Sequence, residues 1–374
     1  MGWIAISDAE EHRFCAEGMF REVDPAAPGA VATASQLDCP MPQGSMMIES
    51  RLSPDGRPQT LLAFERAYPR PYKLTLQALP GGGLVLVIAD GVDVFHTALH
   101  HDSQDRADIL RISYSWARNT SGTGPAHRGR LSIERPEYDS VTTVELQSAR
   151  PLMLEDVRII ATDPRRRLLD EDVQFFAVSD EVEPVGPMPC LTANVPILAR
   201  GGYAHAGDLR RGDMVETLES GVVPVLQAVR RTVPACGSFR PVRLRAPYFG
   251  LIRDIVVAPD QRLVVGGSEV EYTFGREAVL VPARHLVNGI SAIQLTGAVT
   301  VSYTQLILPR HESVIAAGCP VESLYLGRLR RKPGPLAASL LAGADRRMLP
   351  EHARSAYLMI KPFEAITLMQ RRAA

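Results

Sequence analysis

The chain has 374 residues, enough for two domains of ordinary size, and its 45% hydrophobic to 22% charged residues is the balance of a globular protein able to bury a full core. A formal net charge of -1 supplies no global attraction to nucleic acid or anionic lipid, so binding that rests on bulk charge is excluded. Five cysteines, at positions 15, 39, 190, 236 and 319, form an odd set without CxxC spacing, which argues against a dense disulfide framework and against a zinc ribbon.

Residues 1–43 form an N-terminal segment whose start, "MGWIAISDAEEHRF", turns acidic before an apolar run of signal-peptide length can develop. No later stretch reaches membrane-spanning length without charge. The expectation is a soluble protein without a membrane span, cytoplasmic or exported by a route that reads no N-terminal signal.

From 44 to 163 short strands alternate with turns, which predicts an antiparallel, lectin-like β-sandwich. In "LRISYSW", Leu110, Ile112, Tyr114 and Trp116 alternate with Arg111, Ser113 and Ser115, the pattern of a half-buried strand. "YKLTLQALPGGGLVLVIADG" reads as two strands around a glycine-rich turn, and "VTTVELQ" and "LEDVRIIAT" as two more. The segment "HTALHHDSQD" gathers His96, His100, His101, Asp102 and Asp105 without a recognised ligand spacing, so a solvated loop is the simpler reading.

Residues 164–189 are expected to link two domains, because Pro184, Pro187 and Pro189 cannot donate to a β-ladder. The basic runs Arg165–Arg167 and Arg328–Lys332 read as solvated junctions; without interleaved aromatics they make a poor nucleic-acid surface. From 190 to 328 strand patterns resume between turns such as "RRGD" and "ESG", a second all-β unit. The remainder, 329–374, reads as a helical tail, with one helix over "LAASLLAGADRRML" and another over 350–369, interrupted near Pro362.

The segments "CLTANVPILARGGYAHAGDLRRGDMVETLESGVVPVLQAVRRT", "RPVRLRAPYFG", "RDIVVAPDQRLVV", "EAVLVPARHLVNG" and "RHESVIAAGCPVESLYLG", in this order, resemble the bacterial Hint domains, relatives of the hedgehog autoprocessing domain and of inteins. The resemblance implies a compact all-β horseshoe. Its first residue, here Cys190, attacks the preceding carbonyl, here that of Pro189, and turns the peptide bond into a thioester that water or another nucleophile resolves. That step needs a thiolate, an acid for the departing nitrogen and donors for the oxyanion. No cofactor is implied.

Departures from the family pattern concern these needs. Relatives carry a histidine where this chain has Gln261, and often another at Gln305; an amide can donate a hydrogen bond but cannot deliver a proton. Asn194 and Val195 replace a Gly-Thr pair, and the ring of Pro189 crowds the carbonyl to be attacked. His285 follows the family pattern and reads most simply as a structural hydrogen-bonding residue, while His311 could reach Cys190 as a replacement base or cap a loop through Glu312. Cys190 itself could be a small buried apolar residue, and Cys236 and Cys319 read as inert thiols. The expectation is a self-processing protein, or a degenerate descendant, weakened by Gln261. The alternative is an inactive Hint scaffold whose sandwich binds a glycan or protein, and a weaker one is a cysteine hydrolase acting in trans through Cys190 and His311.

Overall fold

The computed structural model describes residues 2–19, 39–52, 57–101, 109–120 and 124–373. Asp102 and Asp105 lie outside the described residues. The chain forms two compact units, Met1–Pro184 and Val185–Ala374, and it is mainly β.

In the first unit two antiparallel sheets share one core. Among the described residues the larger sheet runs Ser140–Leu146, His127–Arg135, Ile109–Arg118, Gln43–Arg51, Val173–Ser179, Trp3–Asp8, His12–Phe14. The smaller runs Arg167–Leu169, Gln59–Arg66, Tyr72–Leu79, Gly83–Asp90, Asp93–His100. Leu110, Ile112, Tyr114 and Trp116 of one sheet meet Leu62, Leu74, Leu76, Leu86 and Ile88 of the other in a single buried cluster, which makes the unit a sandwich. The hairpin between Tyr72–Leu79 and Gly83–Asp90 closes through Gly81 and Gly82 at φ +80° and +90°, a left-handed turn that favours glycine.

Four readings of the sequence are corrected here. "LEDVRIIAT" is a helix, Leu154–Thr162, not a strand. Glu155 and Asp156 suit the positive end of a helix, and Val157, Ile160 and Ala161 fall on one helical face; a short apolar run carries no periodicity that separates helix from strand. Asp156 anchors it with two hydrogen bonds from Arg66, at 2.6 and 3.0 Å. The strand Ile109–Arg118 is buried on both faces, not one: Arg111, Ser113 and Ser115 are as enclosed as their apolar neighbours. Its second face carries a polar ladder, with Glu49, Arg111 and Glu134 side by side on three strands and carboxylates 3.5 and 3.7 Å from the guanidinium.

The third correction concerns the expected linker. Residues 167–169 and 173–179 are strands of the two sheets, and Trp3–Asp8 and His12–Phe14 bring part of the N-terminal segment into the larger sheet. The run "VQFFAVS" buries Phe175, Phe176, Ala177 and Val178 completely, an apolar content no solvated linker tolerates. Arg167, read as solvated, donates to the carbonyls of Ile160 and Ala161 and to Ser7 Oγ. The fourth is the tail, which is helical only over Pro333–Ala337 and Pro362–Ala373. Leu358–Met359 adds a parallel strand to Ala278–Pro282, and Ile360, Ala365 and Leu368 belong to the core of the second unit. Arg330, partly exposed, and Arg331, exposed, both pair with Glu351.

The second unit also has two sheets. Among the described residues one runs Gln227–Pro234, Thr300–Ile307, Leu191–Thr192, Ile255–Val257, Val242–Leu244, Ala292–Gln294. The other runs Gly202–His205, Pro196–Ala199, Met214–Thr217, Ser313–Ala316, Cys319–Glu322, Arg262–Gly266, Ala278–Pro282, Leu358–Met359, with Gly221–Pro224 beside Met214–Thr217. Leu191, Val257 and Leu306 from the first and Ile197, Leu263, Val281 and Val321 from the second close a common core.

Candidate functional site

Cys190 immediately precedes the short strand Leu191–Thr192, which is held on both sides: Leu191 pairs with Val257 and with Thr304, and Thr192 with Tyr303. The Ala258 N–H donates to the Cys190 carbonyl at 2.7 Å. Its side chain is 7% exposed, and the thiol turns back along the incoming chain to donate to the Met188 carbonyl at 3.3 Å. The residue expected as nucleophile is thus fixed at its backbone while its sulfur lies beside the segment that carries the Pro189 carbonyl.

Gln261 and Gln305 interlock. Gln261 is 1% exposed; its Nε2 donates to the carbonyls of Arg262 (3.0 Å) and Glu322 (3.1 Å). Gln305 Nε2 donates to the same Glu322 carbonyl (2.6 Å) and to Gln261 Oε1 (3.2 Å). Extending the Leu191–Thr304 register by one residue sets Gln305 opposite Cys190. Two amides therefore stand where the family resemblance calls for imidazoles, and their N–H groups are directed to main-chain carbonyls.

Glu322, which sequence reasoning passed over, organises the far side of this amide pair. Arg262 Nη1 lies 3.1 Å from its Oε2, and His311 Nε2 lies 2.9 Å from its Oε1. Burial opposes ionisation of Glu322, but Arg262 and His311 prevail and hold its carboxyl below the ordinary value. His311 is committed further: its Nδ1 accepts from the Ala356 N–H at 3.2 Å, and its ring meets Tyr325 edge-on at 4.9 Å. Neighbouring Glu312 faces elsewhere, accepting from Thr217 Oγ1 (2.6 Å) and Ser220 Oγ (2.8 Å). The expectation that His311 either reaches Cys190 or caps through Glu312 gives way to a third arrangement, a Glu322–His311 pair closed by residue 356. The only signal in the sequence is a carboxylate in "CPVESLYLG" three residues past Cys319, which nothing local distinguishes from a surface residue.

His285 sits in the turn of 3-10 helix Ala283–Leu286, and burial beside Arg284 pulls its imidazole down to about 4. It is a neutral ring at neutral pH. Asp260, adjacent to Gln261, pairs with Arg284. Burial pushes the Cys319 thiol up to about 12, which leaves it un-nucleophilic, and none of the five cysteines forms a disulfide. Among the described residues no group of His, Cys, Asp and Glu is arranged to hold a metal ion.

A cysteine fixed ahead of the first strand of a mainly β unit, with its sulfur folded toward the preceding peptide, is the geometry of this site. Residues 189–328 match the family model of the Hint domain, so this stretch of the chain is a Hint domain. Among solved structures, the MchDnaB-1 intein is 15% identical; 36% of this chain covers 98% of it, with a TM-score of 0.25. Its N145AA form gives 13% identity over the same shares and the same score. The CBM40 of Ruminococcus gnavus IT-sialidase, bound to alpha2,3 sialyllactose, is 13% identical, with 49% of this chain covering 92% of it at a TM-score of 0.27. No curated protein matches the chain.

Proposed function

We propose that this Hint-domain protein cleaves itself slowly at the Pro189–Cys190 bond. The carrying observation is the Cys190 sulfur, 3.3 Å from the Met188 carbonyl and so turned toward the segment it would attack. Attack forms a bond from Sγ to the Pro189 carbonyl carbon and breaks the carbon–nitrogen bond; the nitrogen takes a proton and becomes the α-amine of Cys190, leaving a thioester that water or a thiol resolves. What slows the reaction is the proton. Gln261 and Gln305 cannot supply one, and general acid–base help is worth about 10²–10⁴ in rate.

A second reading, in which the Hint unit is a scaffold and the sandwich binds a glycan or protein, is favoured by the interlocked amides, whose donors are already used on the Glu322 carbonyl. One experiment separates the two. The full chain is incubated at neutral pH with a strong thiol and followed by mass spectrometry. Slow self-cleavage predicts a mostly intact wild type over hours, a gain of about 10²–10⁴ in Gln261→His, a C-terminal fragment beginning at Cys190, and loss of the gain when Cys190→Ala is added. No cleavage in Gln261→His favours the scaffold; cleavage that survives Cys190→Ala sinks the proposal.

A further inference from the structure

The segment after Leu349 is fastened to the second unit by two imidazoles acting as hydrogen-bond acceptors. His352 is 2% exposed; its Nε2 lies 3.1 Å from the Leu308 carbonyl, to which it donates, and its Nδ1 accepts from the Leu326 N–H at 3.1 Å. His311, 6% exposed, has its Nε2 2.9 Å from Glu322 Oε1, and its Nδ1 lone pair receives the Ala356 N–H. The two rings lie 5.9 Å apart and both touch Tyr325. Each fastening therefore needs a neutral ring with an unprotonated Nδ1, since a proton there turns an acceptor into a donor facing another donor.

We propose that His311 and His352 form an acid-released latch that holds residues 350–357 on the second unit. The charged and titratable groups facing the pair are few. Glu322, backed by Arg262, meets His311 from the strand Cys319–Glu322, and the Tyr325 phenol borders both rings. Glu351, next to His352, is turned to Arg330 and Arg331, Glu312 is turned to Thr217 and Ser220, and Arg310 and Arg354 are exposed. A proton on His311 Nδ1 removes the acceptor that the Ala356 N–H uses. At His352 burial comes first and lowers the imidazole from its ordinary 6.5; the Leu308 carbonyl and Glu322 counter it in part. The sign follows. The latched state binds the proton less well than the released one, so latching is complete above about 6.5 and is lost as pH falls below it.

The latch goes beyond the self-cleavage reading and stands without it. Amide hydrogen exchange of the full chain, corrected for intrinsic rate, tests it at about pH 7.5 and about pH 5. Peptides spanning 350–360 should lose protection at least about tenfold at the lower pH, while the paired strands Gln227–Pro234 and Thr300–Ile307 keep theirs. The double variant His311→Asn/His352→Asn retains an acceptor at each Nδ1 position but takes no proton, and should show the same protection at both values. Constant protection in the wild type, an undiminished drop in the double variant, or an equal drop in the reference strands would each overturn the latch. If the double variant does not fold, His352→Asn alone should remove most of the pH response, and retention of the whole response is the contrary result.

Discussion

At the scale of single residues, the second unit sets two buried amides, Gln261 and Gln305, against each other. Gln261 donates to two main-chain carbonyls, which a neutral imidazole with one N–H could not match, and an amide delivers no proton. Glu322 shows the opposite case, a residue silent in sequence and central in space. Removing its charge in Glu322→Gln leaves Arg262 and His311 without their buried partner and should cost about 3–5 kcal/mol in urea unfolding at neutral pH. Because the native carboxyl titrates below its ordinary 4.5, the stability it contributes is present above that value and lost as pH falls through the native one. The deficit of the variant should shrink correspondingly below 4.5; a deficit that stays constant down that range would mean the carboxylate charge is not what the site uses.

At the scale of elements, the strand Ile109–Arg118 separates pattern from environment. Its alternation of apolar and polar residues was legible and does assign Leu110, Ile112, Tyr114 and Trp116 to the sandwich core. It does not reveal that the polar face is enclosed too, because a pleat dictates which residues share a face and nothing about what covers it. The consequence is measurable. Ser113→Asp buries an unpaired carboxylate and should cost several kcal/mol, comparable to Leu110→Asp. Lys73→Thr, on the open face of Tyr72–Leu79, should stay within about 0.5 kcal/mol. A Ser113→Asp cost as small as that at position 73 would return the strand to the half-exposed class.

For the whole molecule, the division falls at 184/185, and the residues after 328 count as part of the second unit's core through Ile360, Ala365 and Leu368. A chain ending at Pro184 and one starting at Val185 should each unfold in a single cooperative transition. A chain covering 185–328, which contains the whole family match, should instead aggregate or melt without cooperativity, since Leu280 loses its parallel neighbour Met359 and the core loses three buried side chains. A sharp, reversible transition in that shorter chain would show that residues 329–374 lie on the unit without completing it.

The sequence by itself determined the β character of both halves, the core face of the main sandwich strands, and Cys190 at the start of a Hint domain, because strand period, turn chemistry and an ordered set of local motifs are all read within a few residues. The tertiary structure alone decided the rest. It made "LEDVRIIAT" a helix anchored by the Arg66–Asp156 pair, drew "VQFFAVS" into a sheet begun far upstream, and joined Gln261, Gln305, His311, Glu322 and residues 350–357 from separate stretches of chain. A carboxylate or an amide has no periodicity of its own. Whether it faces solvent, pairs with a buried guanidinium or spends its donors on a distant carbonyl is set by which strands the fold brings beside it.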